Sequence, residues 1–157
     1  MRVLVAGGAG YIGSHTCKAL AEAGHLPIVY DSLATGHAWA VKWGPLEQGD
    51  LNDPTVLGAA MRRHRPDAVI NFAGLINVGE SVHEPTLYYR ANVASVITLL
   101  ETMRAHDVGS IVFSSSCAIY GMPERLPIVE STMQAPINAY GRSKRMGEEI
   151  LRDACAA

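Results

Sequence analysis

Cysteine is scarce in this chain. There are three, Cys17, Cys117 and Cys155, far apart and odd in number, and no Cys-x-x-Cys occurs. Neither a disulfide framework nor a zinc site is indicated, and the thiols read as reduced groups of a cytoplasmic protein. Charge is thin as well. Charged residues make up 18% of the chain, the net charge is -2, and the densest basic group is Arg62-Arg63 with Arg65. A nucleic-acid or membrane-surface binder needs more positive charge than that, so neither partner is expected. No apolar run reaches roughly 18 residues, which excludes a transmembrane helix. The opening Met1-Arg2-Val3-Leu4-Val5 gives way to glycine at Gly7, too soon for the apolar core of a signal peptide. The six histidines show no metal-ligand spacing and have no paired Cys or carboxylate beside them, so no metal is expected. Repeats, linkers and low-complexity tracts are also missing.

What remains is a globular composition, 157 residues of which 48% are hydrophobic, enough for one domain with a buried core. Short apolar strands alternate with helical stretches. Strands are expected at 2–6, 27–31, weakly at 45–48, at 67–73 and at Ser110 to Phe113. A helix at 11–23 ends with Gly24 past its last turn. Asn52-Asp53-Pro54 opens another that runs to about His64, with a cap residue followed by proline at the first helical position. A long helix is expected at 85–106 and a final one from about Asn138. The stretch 32–44 reads as loop with one short helix. This alternation predicts an α/β fold, a Rossmann-type doubly wound parallel sheet with helices on both faces. Such a sheet normally continues beyond the last helix seen here. Residues 1–157 therefore read as one incomplete cofactor-binding domain, truncated before the last strands and the substrate domain.

Gly7-Gly8-Ala9-Gly10-Tyr11-Ile12-Gly13 leaves the first strand and opens the first helix. Gly7 suits a tight turn, Gly10 a close backbone approach to a pyrophosphate, and Gly13 the packing of helix on sheet. The helix start adds free N–H groups and a positive dipole end. Asp31 ends the second strand, where a carboxylate accepts hydrogen bonds from an adenosine ribose and repels a 2′-phosphate. NAD is favoured over NADP for that reason.

The three-residue spacing of these glycines is the form seen in short-chain dehydrogenases/reductases. The string Met1 to Thr16 resembles the opening of the UDP-glucose 4-epimerase family, of the NAD-dependent epimerase/dehydratase type. Matches follow in order at Gly49-Asp50-Leu51, Asn71-Phe72-Ala73-Gly74-Leu75, Val78-Gly79-Glu80-Ser81, Tyr88-Tyr89 with Asn92, Phe113-Ser114-Ser115-Ser116 through Tyr120-Gly121, and Tyr140-Gly141-Arg142-Ser143-Lys144. They span nearly all of this chain and about the first half of a usual family member. The resemblance implies that Gly7, Gly10, Tyr11, Ile12 and Gly13 hold the pyrophosphate of NAD. It places Asp31 and Ser32 at the ribose and Asp50 and Leu51 at the adenine. Phe72, Ala73, Gly74 and Leu75 would line the cofactor cleft, and Asn92 would face the cofactor from the long helix. Several members carry Lys-Ala where this chain has Ile76-Asn77, so one lysine contact near the cofactor is absent.

The same resemblance implies a UDP-hexose substrate and interconversion of UDP-glucose and UDP-galactose by transient oxidation at C4. Tyr140 and Lys144 lie four apart on an expected helix and share a face. A free tyrosine is a poor base at neutral pH, and a nearby ammonium stabilises its phenolate. Tyr140, Lys144 and Ser116 are the expected catalytic trio, with Tyr140 and Lys144 also touching the cofactor. Sugar-nucleotide 4,6-dehydratases place an Asp-Glu pair after the serine; here Cys117-Ala118-Ile119 follows, which disfavours elimination. Two other readings stand beside this one: another NAD-dependent sugar-nucleotide epimerase or decarboxylase, and a catalytically silent NAD-binding fragment. Family members often pair as homodimers through the long helix and the catalytic helix, and both are present here. Cys117 reads as a buried structural thiol, and Trp39 with Trp43 as core or interface residues more than as an adenine platform.

Overall fold

The computed structural model describes residues 1–156. It divides into two compact units. The first comprises Met1–Ala73 and Thr98–Ser114, the second Gly74–Ile97 and the residues from Ser115 on.

The first unit is built on a parallel sheet. Its strands are β1 (Arg2–Ala6), β2 (Leu26–Asp31), β3 (Leu46–Gln48), β4 (Ala68–Asn71) and β5 (Ile111–Phe113), in the order β3-β2-β1-β4-β5. The order reverses direction at β1, between β2 and β4, as it does in doubly wound sheets. Successive residues of β1 point to opposite faces. Leu4 and Ala6 join Tyr30, Leu57, Met61, Val69, Leu99 and Met103 in one core, while Val3 and Val5 join Ala9, Cys17 and Val29 in the other. A near-continuous apolar run such as Val3-Leu4-Val5-Ala6 is what a strand buried on both faces requires.

Helix α1 (Tyr11–Glu22) follows β1, and Gly24 takes a positive φ of 78° just past its end. Helix α2 (Pro54–His64) starts as its sequence specifies: Asp53 caps it, its Oδ1 accepting from Thr55 N at 3.0 Å and Val56 N at 3.1 Å, with Pro54 next. At its far end Arg63 and His64 both reach Glu47 of β3, at 2.7 Å each. The His64 hydrogen bond, with that of Arg63 behind it, holds the Glu47 carboxyl below its usual range.

The second unit is helical. Helix α3 (Val78–His83) is capped by Asn77, whose Oδ1 accepts from Glu80 N. Helix α4 (Pro85–Tyr89) runs through a π-helical turn, Arg90–Ala94, into α5 (Ser95–Ala105), whose end belongs to the first unit. A 3₁₀ turn, Cys117–Tyr120, precedes α6 (Ala139–Ala156), whose first turn is capped by Asn138 Oδ1 accepting from Gly141 N at 2.8 Å.

Four expectations are corrected. The strand expected at 67–73 is pared to Ala68–Asn71, because Asn71 Oδ1 takes the Ala73 N–H into a local turn. The uniform helix expected at 85–106 carries the π turn, and α3 lies before it unforeseen. Trp39 and Trp43 are not core residues. Trp39 is 73% exposed and stacks on His37, and Trp43 is also exposed. Cys117 is exposed, and the buried thiol is Cys17, which burial pushes up to about 11.

Candidate cofactor and catalytic sites

The glycine turn lies at the carboxyl end of β1, in the first unit. Gly7 has φ 74°, which favours glycine, and a Cβ there would strike the backbone of Phe72 and Ala73. A Cβ on Gly13 would strike the carbonyl of Gly7. Gly10 differs from both. Its φ of -79° suits any residue, and a Cβ would meet only the Gly7 carbonyl, at 3.3 Å. The protein's own packing thus demands glycine at 7 and 13 but hardly at 10. Gly10 is also the residue before α1, and no side chain caps that helix start. Room beside an uncapped helix start fits a pyrophosphate.

Asp31 is 8% exposed and latches the turn. Its Oδ2 accepts from Ala9 N at 2.9 Å and its Oδ1 from Leu33 N at 2.8 Å. Ala9 O in turn accepts from His37 N at 3.0 Å, tying the loop after β2 to the turn. Ser32 lies in that loop, its Oγ accepting from Ala34 N at 3.4 Å. The carboxylate that the sequence assigns to a ribose therefore also builds the loop around it. A carboxylate has lone pairs for both tasks.

Asp50 Oδ1 accepts from the backbone N and from Nδ2 of Asn52, and the Asp50 carbonyl accepts from the Tyr30 phenol at 3.0 Å. Burial pushes Tyr30 up to about 12, with Asp53, Asp50 and Glu47 adding to the effect. Leu51 is a core residue. Phe72 and Ala73 follow β4 and pack against the two core clusters. Asn71, in register with Ala6, is 1% exposed, and its Nδ2 has no hydrogen-bond partner. No role was assigned to Asn71 from the sequence. The signal was there: an amide inside an apolar strand whose end faces the turn.

In the second unit, Gly74 and Leu75 are held by Asn92. Asn92 is 3% exposed; Oδ1 accepts from Leu75 N at 2.8 Å, and Nδ2 donates to Leu75 O at 3.0 Å and to Ser143 Oγ at 3.1 Å. Both its N–H groups are occupied. Through these bonds it clamps the loop that follows β4. A Cβ on Gly74 would lie 2.7 Å from Asn92 Oδ1 and 3.7 Å from Lys144 Nζ, so the lysine amine reaches this loop.

Tyr140 and Lys144 are buried on one face of α6. Burial lowers Lys144 from its ordinary 10.5 to about 8. Ser116 lies three residues beyond β5 and caps the 3₁₀ turn, Oγ accepting from Ala118 N at 3.2 Å. That bond leaves its hydroxyl proton to be given elsewhere. Gly141 brings turn and helix together: a Cβ there would strike the Ala118 carbonyl. The turn led by Ser116 thus packs on α6 beside Tyr140. The neighbouring Ser115 Oγ is buried without a partner.

A parallel sheet of this order, with a glycine turn where the order reverses, defines a Rossmann-type α/β protein. The NAD dependent epimerase/dehydratase family matches the chain over residues 3–157, and the chain belongs to that family. Among curated relatives, the UDP-glucose 4-epimerase of Rhizobium meliloti (strain 1021) is 51% identical over 151 residues, covering 96% of this chain and 46% of the relative. That of Mus musculus is 44% identical over 171 residues, covering 99% and 49%. Among solved structures, UDP-glucose 4-epimerase from Brucella ovis in complex with NAD superposes with a TM-score of 0.97 at 51% identity, over 99% of this chain and 48% of that one. The enzyme from Bifidobacterium longum in complex with NAD+ and UDP gives 0.94 at 38% identity, over 99% and 49%. The chain spans about half the length of the curated relatives it matches.

Proposed function

We propose that this chain carries the NAD-binding and proton-handling parts of an enzyme that interconverts UDP-glucose and UDP-galactose. The observation that carries the reading is Lys144, buried one helical turn from buried Tyr140 in a chain whose relatives bear that name. A lysine is not buried for the sake of packing, and perturbed groups cluster where chemistry is done.

Gly7, Gly10, Tyr11, Ile12 and Gly13 would receive the pyrophosphate of NAD on the start of α1. Asp31 with Ser32 would take the ribose, and Asp50, Leu51, Phe72, Ala73, Gly74 and Leu75 would line the remaining length. When bound, NAD supplies reversible oxidation and reduction at a sugar carbon. Tyr140 takes the proton of the 4-hydroxyl and later returns it. Lys144, still protonated near neutral pH, favours the phenolate form of Tyr140. Ser116 donates its free hydroxyl proton to the same sugar oxygen and orients it. No acid follows Ser116, which disfavours loss of water. We read residues 1–157 as one cofactor domain, with the sugar and uridine pocket needing the further length that the relatives possess. Pairing of two copies through α4–α5 and α6 is supported by a shallow, mainly apolar groove lined by Tyr89, Arg90, Val93, Ala94, Ile97 and Met146. The three cysteines are free, which suits a reducing, cytoplasmic setting.

Calorimetric titration of the purified chain tests the reading. NAD+ is expected to bind, and NADP+ at least about tenfold more weakly, because Asp31 repels a 2′-phosphate. Equal binding of both, or of neither, would remove the basis for the cofactor assignment.

A further inference from the structure

Tyr88 has no part in the chemistry described above, yet it is the most deeply buried aromatic of the second unit, with 0% exposure. It stands near the end of α4. Its phenol donates to Glu80 Oε2 of α3 at 2.7 Å. Its ring meets that of Tyr140 edge to face, with centroids 6.5 Å apart and planes at 86°. Four residues on, Asn92 donates to Ser143 Oγ, which donates to the Tyr140 carbonyl at 2.7 Å. One helix therefore holds α6 twice around the same residue, at the ring through Tyr88 and at the backbone through Asn92. The π turn begins two residues after Tyr88, and such turns reset the register of a helix where a site needs it. Here Tyr88, Asn92 and Ser95 all stay inward.

We propose that Tyr88, anchored by Glu80, is a positioning residue for Tyr140. It walls one side of that ring, so the phenol oxygen keeps a single direction. The proposal rests on the reading of Tyr140 as the proton acceptor. Burial pushes the Tyr88 phenol up to about 12, with the Glu80 carboxylate adding to the shift. Tyr88 therefore remains a neutral donor to Glu80 at any pH at which Tyr140 would work.

The test uses the purified full chain with ¹³C-labelled tyrosine rings, the Tyr140 signals being assigned by their loss in Tyr140→Phe. Wild type is expected to show one narrow set for Tyr140. Tyr88→Leu should broaden or split that set, by roughly threefold in width, as the ring exchanges between orientations. Tyr88→Phe keeps the wall and should restore most of the sharpness. Glu80→Ala, which removes an exposed side chain and leaves the Tyr88 ring in place, should give the same partial broadening as Tyr88→Phe. A purely structural tyrosine would lower the melting temperature and leave the Tyr140 signals as narrow as those of the other tyrosines. Unchanged Tyr140 signals in Tyr88→Leu and Glu80→Ala would overturn the proposal, and Glu80→Ala decides alone if Tyr88→Leu does not fold. NAD+ titration of the same wild-type sample reports separately on the epimerase reading, so the two can fail independently.

Discussion

Lys144 is 4% exposed, and burial takes its amine down to about 8. Below pH 8 the folded and unfolded chains both carry the proton, and burial makes that proton costlier to hold in the folded chain. Between pH 8 and the ordinary 10.5 the folded chain sheds the proton first, so this group's contribution to stability rises with pH. Replacing Lys144 by Met should therefore stabilise the chain at pH 7, by up to about 3 kcal/mol, while removing the charge beside Tyr140. Urea unfolding of both proteins at pH 7 and pH 9.5 checks this: the gap between them should shrink at the higher pH. A gap that stays constant or reverses would place the lysine in an environment less costly than its burial indicates. The spacing Tyr140 to Lys144 was legible in the sequence; the burial was not, because it depends on what α3 and α4 lay over α6. Asn92 shows the same limit. Its place on an expected helix could be read from the chain, but the pairing of its amide with Leu75 and Ser143 joins residues 17 and 51 positions away.

At the scale of elements, the turn from β1 into α1 separates two demands that one glycine pattern merges. Gly13 serves packing, since a Cβ there meets the Gly7 carbonyl; Gly10 serves a ligand, since the protein leaves its Cβ nearly free. Gly13→Ala is expected to destabilise the chain by about 1–3 kcal/mol through overpacking. Gly10→Ala should leave the melting temperature within a degree or so and weaken NAD+ binding about tenfold or more. Thermal unfolding with calorimetry on both variants decides it, and equal losses of stability would show that position 10 is structural after all. The strands and capped helices around this turn were legible because local chemistry sets them: Asp53 and Pro54 start α2, Gly24 stops α1, and Val3 to Ala6 can only be a strand buried on both faces. The π turn at Arg90–Ala94 and the short α3 were not legible. The first leaves no mark in the apolar spacing, which runs on as one helix. The second has six residues, too few to show a period.

At the scale of the whole molecule, the chain covers 46% of its Rhizobium meliloti relative and 48% of the Brucella ovis structure. On the reading proposed above, proton handling and cofactor binding need few residues, and the candidates for both lie within this span. Rate depends on more than their presence. Binding energy from the remote parts of a substrate, which for the proposed UDP-hexose are the uridine and its diphosphate, holds the reacting carbon in place and raises turnover as well as affinity. The pocket for those parts is proposed to need the length that the relatives have and this chain lacks. Purified, the 157-residue chain should thus bind NAD+ yet turn over UDP-galactose on the order of a thousandfold more slowly than a relative of full length. A coupled assay for UDP-glucose, run on both proteins with equal NAD+ occupancy, measures the difference. Comparable rates would mean that residues 1–157 alone hold the nucleotide sugar, and the surfaces of the second unit would then have to supply the uridine site. A deep loss with NAD+ affinity intact would separate the two tasks at the boundary proposed here, cofactor and proton transfer on one side, substrate grip on the other.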